Sequence, residues 1–165
     1  MQFTKLAAVL AWATGLAQAA STFSPARPPA IPLAVKSPYL HTWLDAGSDG
    51  GNGGYLAGEW QTHWAGTVTA MAGFIRVDGT VYEFAGAPNQ NPPAVNQTAF
   101  SYTATRSIFT QTAGPVQIQT TFLSPLYPHD TKRASLVASY VSYAVKSLDG
   151  KSHSVQVYLD VSGGM

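Results

Sequence analysis

The sequence predicts an all-β chain folded as an antiparallel β-sandwich, on three observations. Runs of alternating apolar and polar residues recur from Thr67 to Val161, and a period of two marks strands with one buried face. Turn residues separate those runs, with Asp78-Gly79 and Leu148-Asp149-Gly150-Lys151 the clearest. Helical periodicity is missing beyond Leu16, so no helix of any length is expected there. The 165 residues, 45% hydrophobic and 10% charged, suit one domain with a sizeable core and exclude a disordered polyelectrolyte.

The elements follow in sequence order. Lys5, the apolar run Leu6–Leu16 and the small residues of Ala17-Gln18-Ala19 read as a signal peptide over residues 1–19. The run is too short for a membrane span, which needs about 20 apolar residues, so the expected product is secreted, extracellular and free of the membrane once the signal is cleaved. Removal of the signal leaves eight basic and eight acidic residues. Residues 20–42 carry five prolines, which remove backbone donors and disfavour helix, so this leader is expected to run extended over a surface rather than enter the core.

Residues 43–165 are expected to form the sandwich. Six glycines between Gly47 and Gly58 mark a loop. Thr67–Val77 and Thr80–Phe84 flank Asp78-Gly79 and read as a hairpin. Thr98–Thr110 and Val116–Phe122 alternate; Ser135–Val145 is rich in Val, Tyr and Ser; and Val155, Val157, Leu159 and Val161 alternate with polar neighbours. The polypeptide stops four residues past Val161 with no closing element, so the sandwich is expected to be incomplete, truncated on its C-terminal side.

Composition removes several kinds of chemistry. Cysteine is absent, which excludes disulfides, thiolate metal sites and a cysteine nucleophile. A formal net charge of +1 lacks the basic footprint that nucleic acid requires, so no nucleic-acid partner is expected. His41, His63, His129 and His153 show no metal-ligand spacing and read as surface or loop residues. No motif implies a cofactor or a metal, and no catalytic constellation is legible.

One stretch could bind a ligand. Trp43, Trp60 and Trp64 fall within 22 residues, together with Tyr55, His63 and the acids Asp45, Asp49 and Glu59, and no Lys or Arg lies between Lys36 and Arg76. Such a stretch offers stacking planes and negative charge to a sugar or an amino-bearing molecule. The alternative is that the tryptophans plug one end of the sandwich as core residues. Asp45 or Asp49 paired with Glu59 could form a glycosidase-like carboxylate pair, if their separation in space allowed it. Asn96-Gln97-Thr98 is an N-glycosylation sequon on a secreted protein.

The leader from Ser21 to Leu40, then Thr42-Trp43-Leu44 and Gly50-Gly51-Asn52-Gly53-Gly54, resembles the N-terminal region of secreted fungal glutaminases of the glutaminase A type. Trp60, Trp64, Arg76-Val77-Asp78-Gly79 and Phe122-Leu123-Ser124-Pro125 extend the match across the mature sequence. The resemblance implies a β-sandwich preceding a large helical catalytic domain, with ammonia released from L-glutamine outside the cell. It therefore implies a non-catalytic β-domain fragment whose partner, the helical domain, is missing here. It assigns no catalytic residue to these 165 positions. The alternative from the residues is a free-standing secreted carbohydrate-binding module.

Overall fold

The structure is a computed structural model that describes residues 20–39, 41–47, 52–88 and 92–162. The expected signal peptide, Asp49 and part of the glycine loop lie outside the described residues. Among the described residues, ten strands and one short helix follow in order: β1 (Thr22–Ser24), β2 (Ala30–Ala34), β3 (Thr42–Asp45), β4 (Met71–Val77), β5 (Thr80–Ala85), β6 (Asn96–Tyr102), β7 (Arg106–Ala113), β8 (Val116–Leu123), α1 (Thr131–Ala134), β9 (Tyr140–Ser147) and β10 (Val155–Val161). The all-β class is as the sequence implies. No helix among the described residues is long and apolar enough to cross a membrane.

The strands form a five-stranded sheet in the order β1-β6-β7-β8-β9, a three-stranded sheet β10-β4-β5 and a two-stranded sheet β2-β3. Alternation explains the central strands. In β8, Val116, Ile118, Thr120 and Phe122 are buried while the residues between them are half exposed. Phe100, Phe109 and Phe122, from three neighbouring strands, pack together in the core, Phe109 tilted against Phe100 at 4.8 Å and edge-on to Phe122 at 5.9 Å. Ile75, Val77 and Phe84 of the smaller sheet belong to the same core. The two sheets touch where Gln111 Nε2 donates to the Phe84 carbonyl at 2.9 Å and Phe84 meets Tyr143 edge-on at 5.6 Å. Burial pushes the Tyr143 hydroxyl up to about 12.

The hairpin at Asp78-Gly79 forms as expected: Val77 pairs with Thr80, and both turn residues have positive φ, 48° and 90°. A two-residue turn of that kind matches the twist of the strands it joins, and glycine enters it without strain.

Four expectations need correction. The leader is extended, yet it is not peripheral: Ile31 and Leu33 of β2 are completely buried in the core. Alternation of Ile31 and Leu33 with Pro32 and Ala34 carries β2 inward, and proline is tolerated because this small sheet asks for few backbone donors. β2 is tied down across the large sheet, with Ser107 Oγ donating to the Pro32 carbonyl at 2.6 Å. The pairing is also not purely antiparallel, since β1 runs parallel to β6.

Thr98–Thr110 is two strands rather than one run. The Thr103 hydroxyl accepts from the amides of Thr105 and Arg106 and folds the backbone back without glycine or proline. Residues 131–134 make a single helical turn capped by Asp130, whose carboxylate accepts from the Arg133 amide. The helix buries nothing, so no hydrophobic periodicity could announce it.

Candidate functional site

β3 and the segment after the glycine loop build one face of the molecule. Trp43 and Thr62 exchange backbone hydrogen bonds at 2.8 Å each way, which places residues 62–67 beside β3. His63 then accepts at its carbonyl from the Gly66 amide, closing a tight turn that lifts Trp64 into solvent, 73% exposed. On the same face Tyr39 is 84% exposed. Between these two rings the imidazoles of His41 and His63 stack at 4.2 Å, 18° from parallel.

The imidazoles have defined roles. Trp43 Nε1 donates to His41 Nδ1 at 2.8 Å, and the Ala65 amide donates to His63 Nδ1 at 3.3 Å. A ring nitrogen that accepts is unprotonated, so both rings carry their proton on Nε2 when neutral. His41 is 8% exposed. Burial, then the neighbouring His63, lowers its pKa below the ordinary imidazole value.

Two hollows meet around His63. One, of about 560 Å³, is lined by Pro38, Tyr39, His41, His63 and Trp64. The other, of about 370 Å³, includes Trp43, Asp45, Thr62, His63 and Trp64. The structure thus brings together Trp43, Asp45 and Trp64 of the residues expected from sequence. Glu59 lies within electrostatic reach: its carboxyl is raised first by burial and then by the charge of Asp45.

The other expected residues are used elsewhere. Tyr55 accepts the Ser21 amide at its hydroxyl, 3.0 Å away, and so anchors the start of β1. Trp60 is half buried against Gly86, where a side chain would strike both the Trp60 ring and the Met71 carbonyl. Asn96 is half buried at the first position of β6, opposite Thr112. Tyr39 and His41 were not among the expected ligand residues, and His63 lies in the expected stretch without being one of them. His41 lies in a loop just before β3, as expected of the histidines, but it is buried and stacked rather than on the surface. Its position two residues before Trp43 on a β-rich stretch was the available signal, since side chains at i and i+2 share a face.

A second cluster sits at the far end of β4. His153 bonds Asp78 Oδ2 through Nδ1 at 2.6 Å and Asp149 Oδ1 through Nε2 at 2.8 Å. Only the imidazolium can donate to both carboxylates at once. Accordingly His153 titrates above the ordinary imidazole value, through Asp149 first and Asp78 second, and Asp149 is held down at about 2 by His153. The Ser154 amide donates to the other Asp78 oxygen at 2.8 Å, fastening the β9–β10 connection to the Asp78-Gly79 turn.

The two histidines give stability a pH optimum. His153 has a raised folded pKa, so its contribution is complete below the unfolded value and is lost as pH rises through the folded one. His41 has a lowered folded pKa, so folding is favoured above the unfolded value and weakened as pH falls through the folded one. Both effects are best satisfied near the unperturbed imidazole value of about 6.5. Urea midpoints measured from pH 5 to 8 should pass through a maximum there, and His153→Gln should remove the decline on the alkaline side. An identical decline in the variant would show that His153 is not its source.

Fold and groove together define a β-rich domain that presents aromatic rings and imidazoles on one face. The chain belongs to the family described as Domain of unknown function (DUF4964), whose profile matches residues 6–95. A second profile, Domain of unknown function (DUF5127), matches residues 105–165. The sequence is 57% identical over 163 residues to "Glutaminase A" of Aspergillus oryzae, covering 98% of its own length and 24% of that protein. It is 31% identical over 172 residues to "Probable glutaminase/05536" of Arthroderma benhamiae, covering 94% of its own length and 19% of that protein. The chain therefore spans about a quarter or less of the length of these curated relatives. The resemblance to fungal glutaminases of the glutaminase A type is borne out. No solved structure matches the sequence.

Proposed function

We propose that the chain is the non-catalytic N-terminal β-domain of a secreted glutaminase, a glutamine amidohydrolase whose helical catalytic domain is its partner and is absent from this sequence. The observation that carries this reading is the identity of 57% across nearly the whole sequence to a protein about four times its length. Secretion, cleavage of residues 1–19 and glycosylation of Asn96 belong to the same proposal.

The unfinished sandwich is part of this reading as well. On the flank formed by β9 and β10, Val145, Val157 and Val161 are 45%, 37% and 58% exposed, although they continue the buried faces of β8 and β4 by register. The longer relatives contain ample polypeptide to cover such a flank. Residues 20–165, produced in a host without extracellular glutaminase, should release no ammonia from L-glutamine above a buffer blank. Turnover that persists through purification and is lost in Asp45→Asn or Glu59→Gln would overturn the proposal.

A further inference from the structure

The groove around His63 is built from parts that the proposed function leaves unused. Trp64 is exposed, yet its turn is pinned: the His63 amide donates to the Thr67 carbonyl at 2.7 Å and the Gly66 amide to the His63 carbonyl at 2.8 Å. The indole lies 5.5 Å from the His63 ring. A large ring held out in water at a fixed place is a stacking surface prepared before any ligand arrives. Tyr39, also exposed, brings a second ring to the hollow of about 560 Å³ that it shares with His63 and Trp64. That hollow and its neighbour of about 370 Å³ have the size of small-molecule sites.

The polar groups beside these rings select a ligand by its charge. Among the described residues no Lys or Arg lines either hollow, so an anion finds no counter-charge there. Burial lowers the His41 pKa, so His41 is neutral at pH 7 and supplies none either. A cation meets one carboxylate, Asp45, together with the donor side of His63, whose Nδ1 is taken by the Ala65 amide and whose Nε2 carries the proton. An N–H donor attracts lone pairs and a carboxylate attracts donors. A neutral hydroxyl serves both, because it gives one proton and accepts another. Thr69, 6% exposed, adds a buried hydroxyl with no partner among the described residues, and it lines a third hollow with Tyr39 and His63.

We propose that this groove binds a neutral carbohydrate, with one sugar ring stacked on Trp64 and its hydroxyls shared between His63 Nε2 and the Asp45 carboxylate. A sugar ring joins the two features the walls ask for: C–H groups on its flat face, which cover an indole, and hydroxyls around its edge, which both give and accept hydrogen bonds. Trp64, His63 and Asp45 line one hollow together. His63 and Trp64 also line the hollow that holds Tyr39, so a second sugar ring has a second aromatic plane beside the first, and the ligand that fits is an oligosaccharide. Sugar binding at this groove does not depend on the amidohydrolase reading.

Neutral tetrasaccharides of glucose, mannose, xylose and N-acetylglucosamine serve as probes, titrated calorimetrically into this chain and into the longer protein proposed above. At least one should bind both, with the same affinity at low and high salt because the ligand carries no charge to be screened. Trp64→Ala should weaken that binding at least ~10-fold, since a stacked indole is the kind of residue that dominates a binding surface. Its urea midpoint should match the wild type, because an exposed ring supports no core, so lost binding is not lost folding. Trp64→Phe keeps a ring and should retain most of the affinity. No tetrasaccharide bound by either protein, or equal binding by wild type and Trp64→Ala, would overturn the proposal. Binding by this chain that the longer protein lacks would show that the remaining polypeptide fills the groove, and would overturn it too. So would a preference for ethanolamine, a simple cationic amine, over every sugar.

Discussion

Replacing Phe109 with alanine is expected to lower the free energy of unfolding by about 3–5 kcal/mol, the usual cost of deleting a fully buried phenylalanine ring. Phe109 is 0% exposed on β7, the central strand of the five-stranded sheet. Its ring holds Phe100 on one side and Phe122 on the other, so both neighbours would face the vacated space. The strands on either side are locked in register by hydrogen bonds, and they cannot close that space without breaking their ladders. Domains are commonly stable by only about 5–15 kcal/mol, so the variant would be marginal at best. Urea unfolding followed by tryptophan fluorescence measures it. A loss below about 1 kcal/mol would mean that the three rings do not pack as described.

The second large effect concerns a polar residue. Gln97 is 2% exposed and joins three segments: its Oε1 accepts the Leu56 amide at 3.0 Å, and its Nε2 donates to the Gly54 carbonyl at 2.9 Å and to Ser21 Oγ at 3.3 Å. Gln97→Leu keeps much of the volume and removes every one of these partners. Each buried group left unpaired costs about 1–3 kcal/mol, so the Leu56 amide and Gly54 carbonyl together predict a loss of roughly 2–5 kcal/mol. The damage should be local. Hydrogen exchange at Leu56 and around the start of β1 should quicken well before exchange in β7 and β8. Uniform exchange across all of these regions would show that Gln97 does not hold a separate junction.

The residues legible in the sequence are those whose structure is decided by their neighbours. Asp78-Gly79 is readable because a two-residue hairpin needs positive φ at both positions, and these residue types supply it. β8 is readable because eight residues alternate without a break. The break between β6 and β7 is hidden because a threonine hydroxyl makes the turn, and Thr103 looks like any strand residue in that run. β2 is hidden because five prolines in residues 20–42 outweigh the alternation of Ile31 and Leu33.

The candidate groove divides in the same way. Trp43, Asp45 and Trp64 stand out by the local density of aromatic and acidic residues. His41 and His63 lie 22 positions apart, and their stacking depends on the Trp43–Thr62 bridge. Nothing in either residue's immediate surroundings encodes that bridge. Tyr55 and Trp60 share the same local density and are drawn away by contacts with Ser21 and Gly86, which composition does not encode either.

The place of β1 also bears on how the protein is made. Ser21 and Thr22 find their hydrogen-bonding partners, Gln97 and Thr98, 76 residues later. As the polypeptide lengthens from its amino end, β1 meets the Tyr55 hydroxyl at the Ser21 amide first, but it has no strand to pair with until β6 has followed it out. Closing so long a loop costs entropy before any contact repays it, and folds dominated by such distant pairings assemble slowly. The amino-terminal end is therefore made first and settled late. Until then it stays extended and unpaired, the form in which the export proposed for this protein would have to thread it.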